Sequence, residues 1–267
     1  MLPSYVFLGG ISDRIGRKPV LIFSLFLAFC SNLIITIFPT IYALIFARFF
    51  QGVALALSMG TGTAYISELL HSDVRASVRA ANATSMATAI GFSGGAFMTS
   101  IALLFHFSYL PFTYFIAVGI TILGLLLTFF LPKLPPIGGS LVRLPYFPKG
   151  SFPINVSIAI CWATTGVVIA IIPTQLATFG FTAYAGFCLV LINWTGGFLQ
   201  PIIRKHFQPS TSLKLGFAII PIGFGIVIAG SYFGLLPLVL LGTACIGLAA
   251  YGFSYQGGLA LIADLGG

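Results

Sequence analysis

Charge is what this sequence has least of. Lys, Arg, Asp and Glu together make up 6% of its 267 residues, where a soluble domain carries about 25%. So few ions cannot solvate a globule in which 58% of residues are hydrophobic, so a water-soluble fold is excluded. Cysteine is scarce too. Cys30, Cys161, Cys188 and Cys245 lie inside apolar runs at wide spacing, which excludes a disulfide framework or a metal-ligand pattern and leaves them as small packing residues. No Walker loop, metal-ligand spacing or nucleophile elbow occurs. An ATP-driven pump is therefore excluded, and neither an enzyme activity nor a cofactor or metal is expected. The formal charge of +8 would suggest nucleic acid in a soluble protein. Here the basic residues sit in short gaps between apolar runs, where they set topology and meet anionic headgroups, so no nucleic-acid partner is expected.

What is present is long apolar sequence. Eight runs, roughly 20–38, 41–67, 83–105, 110–131, 154–177, 182–202, 214–233 and 235–262, each approach or exceed the ~20 helical residues that cross a bilayer. The expected class is an all-α, polytopic membrane protein. Gaps between the runs alternate in charge. One set holds Asp13, Arg14, Arg17 and Lys18, then Glu68, Asp73, Arg75 and Arg79, then Lys133, Arg143 and Lys149, then Arg204, Lys205 and Lys214, and finally Asp264; the other holds no Lys, Arg, Asp or Glu. Eleven of the twelve Lys and Arg thus share one side, which the positive-inside rule makes cytoplasmic, in a multi-pass protein of the cell membrane. One missed or invented helix would scramble this partition.

The densest charge lies in Gly9-Gly10-Ile11-Ser12-Asp13-Arg14-Ile15-Gly16-Arg17-Lys18-Pro19. Glycines permit tight backbone geometry there, and Pro19 suits the first turn of the helix that follows. This stretch resembles the loop signature of the major facilitator superfamily, with Gly9, Asp13, Arg14, Gly16, Arg17 and Lys18 on its pattern. The resemblance implies a two-bundle fold around a central pathway, here incomplete, with about eight full spans plus a partial one. It implies an N-terminal bundle over 1–131 (partial span two to span six), a cytoplasmic linker over 132–153 and a C-terminal bundle over 154–267 (spans seven to ten). The run Leu2 to Leu8 is too short to cross, so the first span, most of the second and two at the back are expected to be absent. A faint internal repeat agrees with duplicated halves: Gly196-Gly197-Phe198-Leu199-Gln200-Pro201-Ile202-Ile203-Arg204-Lys205 aligns with Gly9 to Lys18, Gln200 standing for Asp13.

Few residues are candidates for chemistry. Arg48 is the only charge within a span; at mid-membrane it costs at least ~2.5 kcal/mol, so it faces a cavity or partner, or snorkels to the nearby helix end. Arg48-x-x-Gln51-Gly52 resembles the fourth-span signature of the same superfamily, which implies a part in proton coupling or substrate contact. Glu68, at the other end of that span, is placed to pair with Arg14 or Arg17, and the resemblance makes this loop a conformational latch. An ordinary solvated charge is the plain alternative. Gly91-Phe92-Ser93-Gly94-Gly95 resembles the glycine-rich fifth-span signature of proton-driven antiporters, with Ala87 for its first glycine and Phe92 for its proline. Packing is the simpler explanation of Gly91, Gly94 and Gly95, since glycines let helices approach closely. Cavity-lining candidates are Asn32, Tyr65, Thr164, Thr165, Gln175, Asn193, Trp194, Tyr251, Tyr255 and Gln256. The best cluster is Tyr251, Tyr255 and Gln256, because positions i and i+4 share a helix face.

The expected function is secondary transport of a small molecule by alternating access, as proton-coupled efflux of drugs or metabolites. Proton-coupled uptake of a sugar or organic ion is the alternative within transport, and a non-transporting fragment or membrane scaffold the alternative outside it. No Asp or Glu lies in mid-span. Substrate identity, coupling ion and oligomeric state stay open.

Overall fold

A computed structural model of the chain describes residues 10–70, 76–105, 111–138 and 149–266. Gly9, Asp73, Arg75, His106 and Arg143 lie outside the described residues, as do the middle of the expected linker and the side chain of Asp264. The described residues are helical with no strand among them. A short helix α1 (Ile11–Ile15) precedes α2 (Arg17–Ile37), α3 (Ile41–Leu69), α4 (Ala76–Leu104) and α5 (Pro111–Phe130). Next come α6 (Phe152–Thr178), a 3₁₀ turn at Thr182–Tyr184, α7 (Ala185–His206) and α8 (Pro209–Tyr232). The last helix has three parts: α9 (Leu236–Gly247), a π-helical segment (Leu248–Tyr255) and α10 (Gln256–Gly266).

Eight of these helices are long and apolar enough to cross a membrane, at the positions the apolar runs predict. Local chemistry sets their ends. The Thr40 hydroxyl accepts the Ala43 N–H at 3.3 Å to cap α3. Proline stands in the first turn of α6, α8 and α9, where no helical N–H partner is lost. Large apolar side chains such as Phe46, Phe49 and Phe130 are exposed, as befits surfaces whose solvent is lipid.

By its internal contacts the chain divides into two compact units, Met1–Ser85 with Ser108–Pro145, and Met86–Phe107 with Tyr146–Gly267. Helix α4 contributes to both. In the first unit α2 packs on α3 and α5, and the buried Ser31 hydroxyl donates to the Ala47 carbonyl at 2.8 Å.

The second unit has a core of Val168, Ile172, Leu176, Cys188, Ile192, Val227, Val239 and Ile246. Lipid is as apolar as leucine, so helices associate here through close van der Waals contact rather than escape from water. Glycine supplies that closeness. Gly216, Gly223 and Gly230 recur every seven residues along one face of α8, and each lies against the last helix. A Cβ added to Gly223 would stand 2.7 Å from Ile246 Cγ1, and one added to Gly230 2.7 Å from the Val239 nitrogen. Gly242 answers from α9, 2.6 Å from Val227 Cγ2.

The π-helical segment has an identifiable support. From α7, Thr195 Oγ1 donates to the Ala244 carbonyl at 3.2 Å and Gln200 Nε2 to the Tyr251 carbonyl at 3.2 Å. Side chains thus take up carbonyls in and just before the stretch where the regular i→i−4 ladder widens.

Candidate functional site

Two groups of polar side chains stand out, one in each unit. The first is built on the turn between α1 and α2. Gly16 takes φ +102° there, a value that side-chain-bearing residues rarely adopt, and so points Asp13 and Arg17 toward each other. Arg17 contacts Asp13 as an ion pair, and its Nη1 donates to Ser12 Oγ at 2.6 Å. Across on α3, its Nε and Nη2 donate to Glu68 Oε1 at 2.9 and 2.7 Å. Asp13 and Ser12 are buried, and Arg17 is only 9% exposed. One guanidinium therefore satisfies two carboxylates, the arrangement that removes a charge pair from water without orphaning either member. Of the two arginines placed to meet Glu68, Arg17 makes the contact; Arg14 is exposed. Lys18 turns the other way, and its ammonium donates to the carbonyls of Phe129 and Leu131 at 2.6 and 2.7 Å. Those are unpaired carbonyls at the negative end of α5.

Further along α3, Arg48 is exposed and donates through Nη1 to Gln51 Oε1 at 3.1 Å. Gln51 Nε2 in turn lies 3.5 Å from Asn32 Oδ1 on α2. The arginine is thus tied to an amide relay, and no carboxylate pairs with it among the described residues.

The second group gathers around the π-helical segment. Tyr251 and Tyr255 have ring centroids 5.6 Å apart, and Trp162 of α6 stands edge-on to both, at 5.6 and 5.9 Å. The three rings form a triangle, each pair within the favourable 4.5–7 Å range. Beside it the buried Gln256 Oε1 has no hydrogen-bond partner. The two tyrosines share a face as the sequence predicts, although on a widened helix. Trp162 escaped the sequence reading because it lies on another span, with no spacing to mark it.

The other candidates are more dispersed. Asn193 is 1% exposed and commits its amide to the Leu189 carbonyl at 2.8 Å. Trp194 stacks between Phe97 and Phe198, with its buried indole N–H unpaired. Thr164 and Thr165 are buried and bond back to their own helix, and the Tyr65 hydroxyl donates to the Pro132 carbonyl at 2.7 Å.

The glycines of α4 correct an expectation. Nothing lies within 4 Å of a Cβ added to Gly91, Gly94 or Gly95, so close helix approach does not account for them. The close approaches fall on Gly186, Gly196, Gly216, Gly223, Gly230, Gly242 and Gly247 instead. A seven-residue glycine repeat on α8 was the available signal. Replacing Gly91, Gly94 or Gly95 by Ala will leave the thermal unfolding midpoint of the purified protein level or raised, since alanine favours helix by about 1 kcal/mol. A marked fall in any of the three midpoints would contradict the open space seen here.

Comparison with known proteins agrees with this architecture. The family model described as Major Facilitator Superfamily matches residues 1–267. Among individual proteins, the chain is similar to Monosaccharide-sensing protein 3 of Arabidopsis thaliana, 38% identical over 69 residues. Monosaccharide-sensing protein 2 of the same plant is 32% identical over 103 residues. These matches cover 26% and 39% of the chain but only 10% and 13% of the relatives. The crystal structure of the human organic anion transporter MFSD10 (TETRAN) superposes with a TM-score of 0.59 at 17% identity, covering 96% of the chain and 66% of that protein. At that identity the likeness concerns the fold alone.

Proposed function

The chain belongs to the major facilitator superfamily, and on that premise we propose that it carries a small, uncharged, hydroxyl-rich molecule of the monosaccharide class across the bilayer by alternating access. The observation behind this reading is the triangle of Trp162, Tyr251 and Tyr255 beside the unpaired Gln256 carbonyl. Aromatic faces accept the apolar face of a sugar ring, and a buried amide oxygen without a donor accepts a hydroxyl. A fixed charge would serve a neutral ligand poorly, and no charged side chain joins this cluster among the described residues. The names of the Arabidopsis relatives favour the same class. In this reading residues 1–131 and 154–267 are the two rocking bundles, joined by 132–153, with the charged loops cytoplasmic. The contact of Arg17 with Asp13 and Glu68 is the latch that holds one conformation.

The second reading is proton-coupled efflux of drugs or metabolites. Its support is the α4 glycine pattern and the Arg48–Gln51–Asn32 relay. Proteoliposomes loaded with a pH-sensitive dye separate the two. Uptake of labelled monosaccharide supports the first; substrate-driven proton flux with a cationic or aromatic drug, and none with sugars, supports the second. If a monosaccharide is carried, Trp162→Ala will lower its transport about tenfold, the value of two lost ring contacts, while Trp162→Phe keeps most of it. Unchanged sugar transport in Trp162→Ala would remove the triangle from the pathway.

A further inference from the structure

Two grooves meet at the α1–α2 turn, and they differ in chemistry. One, of about 410 Å³, is lined by Ile15, Gly16, Lys18, Pro19, Ile22, Lys133 and Leu134. It has two ammonium groups and no acid in its wall. The other, of about 270 Å³, is walled by apolar side chains alone, with Phe23 of α2 and Val53 and Leu57 of α3 at its far end. Ile15 and Pro19 belong to both. The pair therefore runs without a break from a basic mouth beside the end of α5 to an apolar trough along α2 and α3, reaching well within the spans of these helices.

We propose that this double groove binds one anionic phospholipid, its phosphate on Lys133 and Lys18 and an acyl chain in the trough. Charge and shape together select the occupant. A small anion would use the lysines and leave the trough bare; a zwitterionic lipid would gain nothing from two cations with no acid beside them. Lys133 is exposed, with no ion pair among the described residues. Lys18 donates two of its three protons to the carbonyls of Phe129 and Leu131, which leaves the third for a phosphate oxygen. The site sits where helices leave the hydrocarbon, the depth at which headgroups and basic side chains meet. It does not depend on which molecule the protein carries.

The test uses the full chain purified into phosphatidylcholine nanodiscs containing a minor share of phosphatidylglycerol. Native mass spectrometry will show phosphatidylglycerol retained over phosphatidylcholine. Lys133→Gln will cut that preference about fivefold, the usual worth of one basic residue near anionic lipid, and Lys133→Arg will restore it. A Phe23→Trp reporter in the trough will be quenched more by brominated phosphatidylglycerol than by brominated phosphatidylcholine, after subtraction of the parent protein's signal. Equal retention of the two lipids, an unchanged preference in Lys133→Gln, or displacement of the lipid by excess inorganic phosphate would each overturn the proposal. Lys18 is left intact because its loss would also uncap α5.

Discussion

Replacing Arg17 with methionine will destabilise the protein by about 3–5 kcal/mol, the cost of breaking a buried ion pair by deleting one partner. The size follows from where the carboxylates are left. Asp13 is buried and the Glu68 side chain is 24% exposed, so neither can turn to water without moving a helix end. Thermal unfolding in detergent, followed by intrinsic fluorescence, measures the effect. The decisive control is the triple variant Asp13→Asn, Arg17→Met, Glu68→Gln. With all three charges gone the desolvation penalty goes too, and most of the lost stability returns. If Arg17→Met and the triple variant unfold at the same temperature, the lost hydrogen bonds and packing of Arg17 matter and the stranded charges do not. Glu68→Gln alone will fall between parent and Arg17→Met, because the amide oxygen still accepts from the guanidinium.

Gly247→Val will prevent the second unit from packing, at a cost of about 3 kcal/mol or more. A Cβ at this position would stand 2.6 Å from Ile192 Cα and equally close to Thr195 Oγ1, with the Ile192 carbonyl nearer still. These are largely backbone atoms, so no rotamer change relieves the clash. Only separation of α7 from α9 does, and that opens the core around Ile192 and Ile246. Expression as aggregate, or an early unfolding transition in size-exclusion thermostability, is the expected outcome. Gly225→Val is the matched control, since nothing lies within 4 Å of its added Cβ; it will tolerate the change. Equal damage by both would show that helix propensity, not contact, sets the cost.

The eight spans were legible because bilayer thickness acts on sequence directly: a run of apolar residues is the whole requirement. The Arg17 pairing was half legible. Charge scarcity singled out Glu68 as a partner, yet Arg14 and Arg17 looked equivalent until the backbone at Gly16 turned one inward. Lys18 was legible as a basic loop residue and not as the cap of α5, because its acceptors at Phe129 and Leu131 are carbonyls more than a hundred positions away. Backbone groups leave no mark in a sequence. The glycines show the same limit from the other side. Gly91, Gly94 and Gly95 matched a pattern and meet open space, whereas Gly223 and Gly242, which touch facing helices, matched nothing that was sought. Trp162 joins Tyr251 and Tyr255 through tertiary packing alone.

The widened stretch Leu248–Tyr255 also bears on how this protein is compared with others. Such a segment accommodates a surplus residue relative to a plain α-helix, so a relative without the widening has one amino acid fewer between the same two flanks. A gapless pairwise match through this region would then assign Gln256 to a position turned by about 100° around the axis. Homologous side chains near the tyrosines are better matched by superposed coordinates than by residue counting.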